Sequence, residues 1–176
     1  LEFKDIGKLE AAVTSGGLST MPWTYEGKLE VLHNKTLRYN GHWEQMKAFR
    51  ELGLFEEKPI DFNNLEISPR EFYHHLLAPK LENNDNKDIC LMRVKAIGED
   101  RGKTKNVVID IHESYDEETK FLAMEKWTGW HASIVMIEIL NNNIDFGAIP
   151  IEKALSGKVF YDRALKRSYN IRIQSN

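Results

Sequence analysis

The sequence has little of what marks secreted, membrane-spanning or nucleic-acid-binding proteins. Its single cysteine, Cys90, excludes an internal disulfide framework and favours a reducing, cytoplasmic compartment. No apolar run reaches the roughly 18 residues of a transmembrane helix, and the first residues lack the pattern of a signal peptide. Charges are scattered, and the net charge of −3 gives no signal for a nucleic-acid or membrane partner.

A second absence concerns nucleotide binding. No Gly-x-Gly-x-x-Gly motif follows any predicted strand, so this chain is expected to bind no dinucleotide and no other cofactor. The chain starts at Leu1 with a strand close behind, which suggests a segment of a larger polypeptide. The 176 residues, 41% of them hydrophobic and 29% charged, predict one globular domain over residues 1–176 with a sizeable core.

Two segments near the start of the chain hold the residues that best suit a binding site. Residues 14–20 read TSGGLST, and paired glycines permit positive φ and a close approach of another chain or a ligand. Residues 35–42 read KTLRYNGH, with two cations in a β-prone segment that turns on Asn-Gly into a helix. Each segment alone fits a tight turn or a solvated strand, but together they are typical of a site for a small anionic or polar group.

These two segments, with residues 124–129 (MEKWTG) and 160–173, resemble the C-terminal domain of saccharopine dehydrogenase-like oxidoreductases. The lysine 6-dehydrogenase branch is closer than the fungal saccharopine reductases, and the resemblance covers nearly the whole chain. The sequence departs from the family at Asn40, where Pro is usual, and at Trp127, where Thr is usual.

The resemblance implies a function for the domain. The full-length enzyme would move hydride between NAD or NADP and the carbon of an amino acid's C–N bond, as in lysine metabolism. An N-terminal Rossmann domain preceding Leu1 would bind the cofactor, while this domain would orient the small amino-acid substrate and form a homodimer. This chain alone is therefore expected to be inactive.

Such chemistry requires an anchor for the substrate carboxylate, polar groups for the amine and exclusion of water. We expect Arg38 to be the anchor, because a guanidinium binds a carboxylate through two parallel hydrogen bonds. His42 and Lys35 are the catalytic candidates, since they are the nearby groups able to carry a proton. The residues expected to line the substrate site are Ser15, Gly16 and Gly17. Alternatively, Arg38 pairs with a carboxylate of the sheet and His42 packs in the first helical turn.

The hydrophobic pattern predicts an α+β fold, with a mixed, largely antiparallel β-sheet and helices packed mainly on one face. Strands are predicted at residues 9–13, 29–39 (as one or two strands), 88–97, 104–115 and 170–173, with a hairpin turn at 98–102. A brief helical turn is predicted around Pro22. Longer helices are predicted from Gly41 to Gly53, from Ser68 to the residue before Pro79, within 119–141, and on either side of Gly157.

The helix within residues 119–141 is the most apolar, with apolar residues over most of its circumference, and is therefore predicted to be buried. Thr128 and Gly129 are placed at its start, where the first N–H groups lack partners and favour a carboxylate or phosphate. They are therefore added to the expected substrate-binding residues. The alternative is that Thr128 only caps its own helix.

We predict no metal site. His74 and His75 are adjacent on a helix and point about 100° apart, so one ion cannot readily bind both. Asp110 and His112 share one face of a strand, but no residue at zinc-like spacing joins them. A second hypothesis for the whole domain is a non-catalytic dimerisation or small-ligand-binding module, in which Trp127 shrinks the pocket or packs in an interface.

Overall fold

The computed structural model describes residues 1–4, 6–14, 16–82 and 87–176. The chain divides into two compact units, Leu1–Asp85 and Asn86–Asn176. The elements described in the first unit are β1 (Glu2–Phe3), β2 (Gly7–Ala12), α1 (Met21–Thr24), β3 (Thr36–Tyr39), α2 (His42–Glu51), β4 (Ile60–Phe62), β5 (Leu65–Ile67) and α3 (Pro69–Leu81). Those described in the second unit are β6 (Ile89–Asp100), β7 (Lys103–Ser114), α4 (Ala123–Leu140), α5 (Ile151–Ala154), α6 (Gly157–Leu165) and β8 (Ile171–Ser175).

The first unit contains an antiparallel sheet in the order β1-β2-β3. The strand predicted at residues 29–32 is wrong, because residues 29–35 have no regular structure and only β3 forms. Leu29 and Val31 are exposed, so the alternating pattern does not correspond to a strand with one buried face. The hairpin β4-β5 was not predicted from the sequence; it turns on Asn63 and Asn64, both with positive φ.

Helix α2 begins and ends at glycines. Gly41 lies at its N-cap with φ +90°, and Gly53 follows its last turn with φ +77°. The amide of Leu54 donates to Phe49 O at 3.0 Å and that of Gly53 to Arg50 O at 2.9 Å, which is a Schellman motif. The predicted end of the helix at Gly53 is confirmed.

Helix α3 starts as predicted but ends later. Ser68 Oγ accepts a hydrogen bond from Glu71 N at 3.4 Å, which confirms the predicted N-cap. The end predicted before Pro79 is wrong, because the helix continues to Leu81. Proline lacks only one backbone N–H, and Glu82 N still donates to Ala78 O at 3.1 Å, so the last turn closes around it. Most of the loop predicted at residues 82–88 lies outside the described residues.

The second unit contains an antiparallel sheet in the order β6-β7-β8. The predicted hairpin is confirmed but is tighter than expected. Its strands extend to Asp100 and Lys103, and only Arg101 and Gly102 form the turn, with φ of +54° and +76°. Two positive φ angles match the right-handed twist of the strands, so both strands continue up to the turn.

Helices cover one end of this sheet. The buried cluster of Ile134, Ala164 and Tyr169 packs against partly buried residues of the sheet, helices and connections: Ile111, Trp127, Trp130, Leu155, Phe160 and Ile171. The expected α+β class, with antiparallel sheets and helices on one face, is confirmed. On the same sheet face but further along the hairpin, Val94 is 47% and Ile173 48% exposed.

Helix α4 is only partly buried, whereas the sequence predicted a buried helix. Met136, Ile139 and Leu140 are exposed by more than half, because the sheet and α6 cover only part of its surface. Glu138 of the same helix is buried, and its carboxylate accepts hydrogen bonds from Arg163 Nε and Asn143 Nδ2, both at 2.7 Å. In the described part of the chain, no helix is both long and apolar enough to cross a membrane.

The last elements follow the predicted order. Pro150 immediately precedes α5, and Ser156 Oγ accepts from Val159 N at 3.3 Å to cap α6. The predicted division into two helices is confirmed, although Gly157 is the first residue of α6 and does not lie between the helices. The closing strand is also confirmed, as β8.

Candidate functional site

The two segments singled out in the sequence lie side by side in the first unit. Strands β2 and β3 pair antiparallel, with Ala12 opposite Thr36. Beyond that pair, the hydroxyl groups of Thr14 and Thr36 share a hydrogen bond of 2.5 Å. The turn that holds the glycines is thus joined to the start of the strand that carries Arg38.

The paired glycines have different structural roles. Gly16 has φ +86°, a conformation that favours glycine. A Cβ atom at Gly17 would lie 2.2 Å from Asn34 Oδ1, so only glycine fits without moving that side chain. The group that approaches the backbone here belongs to the chain itself. Ser15, the third residue expected to line the site, lies outside the described residues.

Arg38 is exposed on β3, and its Nη1 donates to Leu37 O at 2.7 Å. The residue opposite it on β2 is Glu10, so the two side chains project from the same sheet face. The carboxylate of Glu10 accepts instead from Gly41 N at 2.8 Å and Trp43 N at 3.2 Å. Among the described residues no carboxylate forms an ion pair with Arg38, and the alternative in which it pairs with a sheet carboxylate is therefore not what the structure shows.

The start of α2 brings His42 close to Glu10. The two backbone hydrogen bonds, first that from Gly41 and then that from Trp43, lower the pKa of Glu10, and the charge of His42 adds to this effect. His42 is half-buried, with its ring edge-on to that of Trp43 at a centroid distance of 4.9 Å. Lys35 is exposed immediately before β3.

The role of Glu10 was not predicted from the sequence. Glycine at the N-cap of α2 offers no side chain to the first amides of the helix, and Glu10 supplies the acceptors from 31 residues earlier in the chain. The only signal in the sequence was that position 41 is not Ser, Thr, Asp or Asn, the residues that usually cap a helix start. That absence shows that a partner is needed but does not identify it.

Residues 2–168 match the model of the saccharopine dehydrogenase C-terminal domain. The chain belongs to this family. The match extends over both units, and the family is a domain of saccharopine dehydrogenase-like oxidoreductases, enzymes associated in general with NAD(P).

In this saccharopine dehydrogenase C-terminal domain, Thr128 and Gly129 do not lie at a helix start. Helix α4 begins at Ala123, so both residues lie in its second turn, where amides donate to carbonyls four residues earlier. The true N-terminus is occupied, because the carboxylate of Asp88 accepts from Ala123 N at 2.6 Å and Met124 N at 2.9 Å. The predicted open helix N-terminus is wrong. The assignment of these two exposed residues to substrate binding stays a prediction without that support.

Trp127, one of the two departures from the family pattern, packs in the second unit. It lies against the buried cluster formed by Ile134, Ala164 and Tyr169, and its Nε1 has no hydrogen-bond partner there. Its bulk therefore fills core space of this unit. Asn40, the other departure, is exposed in the turn between β3 and α2.

A buried ion pair supports the base of α4. Lys126 and Glu113 are 7% and 5% exposed, and their charged groups are 2.8 Å apart. Glu113 also accepts from Asn170 N at 2.7 Å, and Lys126 Nζ lies 5.3 Å from the centre of the Trp130 ring. Burial raises the pKa of the neighbouring Tyr169 to about 12, which keeps its hydroxyl protonated as a hydrogen-bond donor.

Two of the residues considered for metal binding, Asp110 and His74, contact other side chains. Asp110 accepts two hydrogen bonds of 2.6 Å from the guanidinium of Arg93. His74 lies against the ring of Tyr73 on α3. Over the residues that the structure describes, no group of three or more His, Cys, Asp or Glu is placed to hold a metal ion.

Proposed function

We propose that this domain binds the amino-acid substrate of an NAD(P)-dependent oxidoreductase that acts on a C–N bond, in the manner of a saccharopine or lysine 6-dehydrogenase. The observation that carries this proposal is an exposed guanidinium, Arg38, without an ion-pair partner in the described structure, on a strand joined to the glycine turn. The family membership supports the reaction class. Cys90, buried and unpaired, supports a cytoplasmic location.

The residues of the first unit suit the groups of such a substrate. Arg38 would bind the carboxylate through two hydrogen bonds. An amine must lose a proton before its carbon gives up hydride, because the nitrogen lone pair forms the new C=N bond. His42 or Lys35 would accept that proton. A nicotinamide, held by the N-terminal Rossmann domain that we propose, would supply the hydride acceptor.

The first test is an assay of the polypeptide that carries this chain. It is incubated with NAD or NADP and a panel of amino acids that includes lysine and saccharopine, and the absorbance of reduced nicotinamide is followed. We expect turnover with at least one amino acid, and none from residues 1–176 alone. Amino-acid binding without hydride transfer would support the non-catalytic module instead. Turnover by the isolated chain would contradict the proposal that a separate domain binds the cofactor.

The proposal includes a homodimer formed through the apolar face of the second sheet. Val94, Ile109 and Ile173 lie opposite one another across β6, β7 and β8, and the two outer residues are about half exposed. A flat apolar row is self-complementary, so a second copy related by a two-fold axis can bury it against itself.

Ile173→Lys should shift the protein from dimer to monomer, because it places a charge in that row. Sedimentation velocity would measure the change. Gln174→Lys is the matched control, since it adds the same charge to the opposite face of β8. A dimer that withstands Ile173→Lys, or that Gln174→Lys disrupts equally, would place the contact elsewhere.

A further inference from the structure

Glu10 connects the three parts of the candidate site in the first unit. It lies on β2, opposite Arg38 on β3, and its two carboxylate oxygens accept from the first amides of α2. In the described part of the chain no other side chain caps this helix start, and the N-cap residue, Gly41, has no side chain of its own. One carboxylate thus joins the middle strand of the sheet to the helix that follows it.

The direction of this carboxylate decides what Arg38 can bind. Directly opposite residues in an antiparallel pair have Cβ atoms about 4.5–5.5 Å apart, within reach of a Glu–Arg ion pair. That pair does not form here, because the carboxylate is directed to the start of α2, where its two oxygens accept from Gly41 N and Trp43 N. The guanidinium of Arg38 is left with the carbonyl of its own neighbour, Leu37.

The same contact fixes His42. This residue is the first of α2 and lies between the two amides that Glu10 holds. Its ring orientation therefore depends on the position of the helix start relative to β2. A substitution at position 10 that removes these two hydrogen bonds would let the residues after Tyr39 move. It would also remove the contact that keeps the side chain at position 10 away from Arg38.

We propose that Glu10 is a positioning residue of the substrate site, holding the start of α2 so that His42 is fixed and Arg38 stays available to a substrate carboxylate. This inference rests on the proposed function. Glu10 itself touches no substrate. Its effect is exerted through Arg38 and the helix start.

Glu10→Gln in the complete polypeptide should raise the KM for the amino acid between about ten- and a hundred-fold, with a smaller change in the KM for the nucleotide, since misplacement of about 1 Å has effects of this size. Glutamine keeps the length of the side chain but replaces one acceptor oxygen with an NH₂ donor, so only one amide is held. Glu44→Gln is the matched control, because it removes a carboxylate from the first turn of the same helix without touching those amides.

A double variant separates positioning from general loss of structure. If Glu10 acts through Arg38, Glu10→Gln should have little further effect on KM in an Arg38→Ala background. Amide hydrogen exchange at Gly41 and Trp43 verifies that the contact is broken in each folded variant.

The outcomes are distinct. An unchanged KM with faster exchange at the two amides overturns the positioning role and leaves the proposed function intact, as does full additivity of the two substitutions. Should the unaltered polypeptide transfer no hydride with any amino acid, the proposed function fails, and this inference fails with it.

Discussion

Replacing Lys126 by alanine should lower the free energy of unfolding of the second unit by about 3–5 kcal/mol, because it leaves a buried carboxylate without its cation. Glu113 is 5% exposed and would keep only the amide of Asn170 as a partner. The contact of the ammonium with the Trp130 ring is lost as well. Urea unfolding followed by the fluorescence of the tryptophans, two of which lie in this core, would measure the difference.

Two further variants show which property matters. Lys126→Met keeps most of the side-chain volume, so a loss close to that of the alanine variant assigns the effect to charge. Lys120→Ala removes an exposed partner of Glu117 and should cost less than about 1 kcal/mol. If Lys126→Met were as stable as the unaltered protein, the buried pair would contribute nothing.

Arg38→Ala should raise the KM for the amino-acid substrate on the order of ten- to a hundred-fold, because a hydrogen-bonded contact with a charged group contributes about 1.5–3 kcal/mol. Since Arg38 is exposed and hydrogen-bonded only to Leu37 O in the described structure, its removal should leave thermal stability almost unchanged. Steady-state kinetics on the complete polypeptide, with substrate and nucleotide varied separately, would measure the effect.

The control for Arg38 is another exposed arginine of the same unit. Arg50→Ala, in the last turn of α2, removes the same charge at a place with no proposed contact to substrate. Arg38→Lys should recover only part of the affinity, because an ammonium lacks the planar pair of donors that matches a carboxylate. Equal KM values for Arg38→Ala and Arg50→Ala would make Arg38 part of the scaffold.

The features predicted correctly from sequence are those that depend on neighbouring residues. Ser68 three residues before Glu71 defines a helix start, and Gly53 defines a helix end, because a cap involves only the adjacent turn. The alternating strands β6 and β7 were found for the same reason, since a short hairpin pairs residues close in the chain.

The features that were missed depend on residues far apart. The start of α4 is held by Asp88, whose carboxylate accepts a hydrogen bond from the amide of Ala123, 35 residues further along the chain. Glu10 likewise caps α2 from 31 residues away. No local pattern identifies such partners, and both errors moved or hid residues of the candidate site. Residues 14–20 and 35–42 are nevertheless neighbours, as the Thr14–Thr36 hydrogen bond shows, and the pairing of β2 with β3 explains it. Their joint role as a binding site stays a prediction.

The strand order of the second sheet has a consequence for synthesis in the cell. Its central strand, β7, can pair with β6 through a two-residue turn as soon as both strands are made. The other edge of β7 stays unpaired until β8 is synthesised. Asn170, whose amide donates to Glu113, lies 57 residues further along the chain. At about 5–20 residues per second, a ribosome needs several seconds to deliver that stretch. During this time the nascent hairpin presents an open edge and an apolar face, so we expect the second unit to be prone to aggregation and a target for chaperones until β8 pairs.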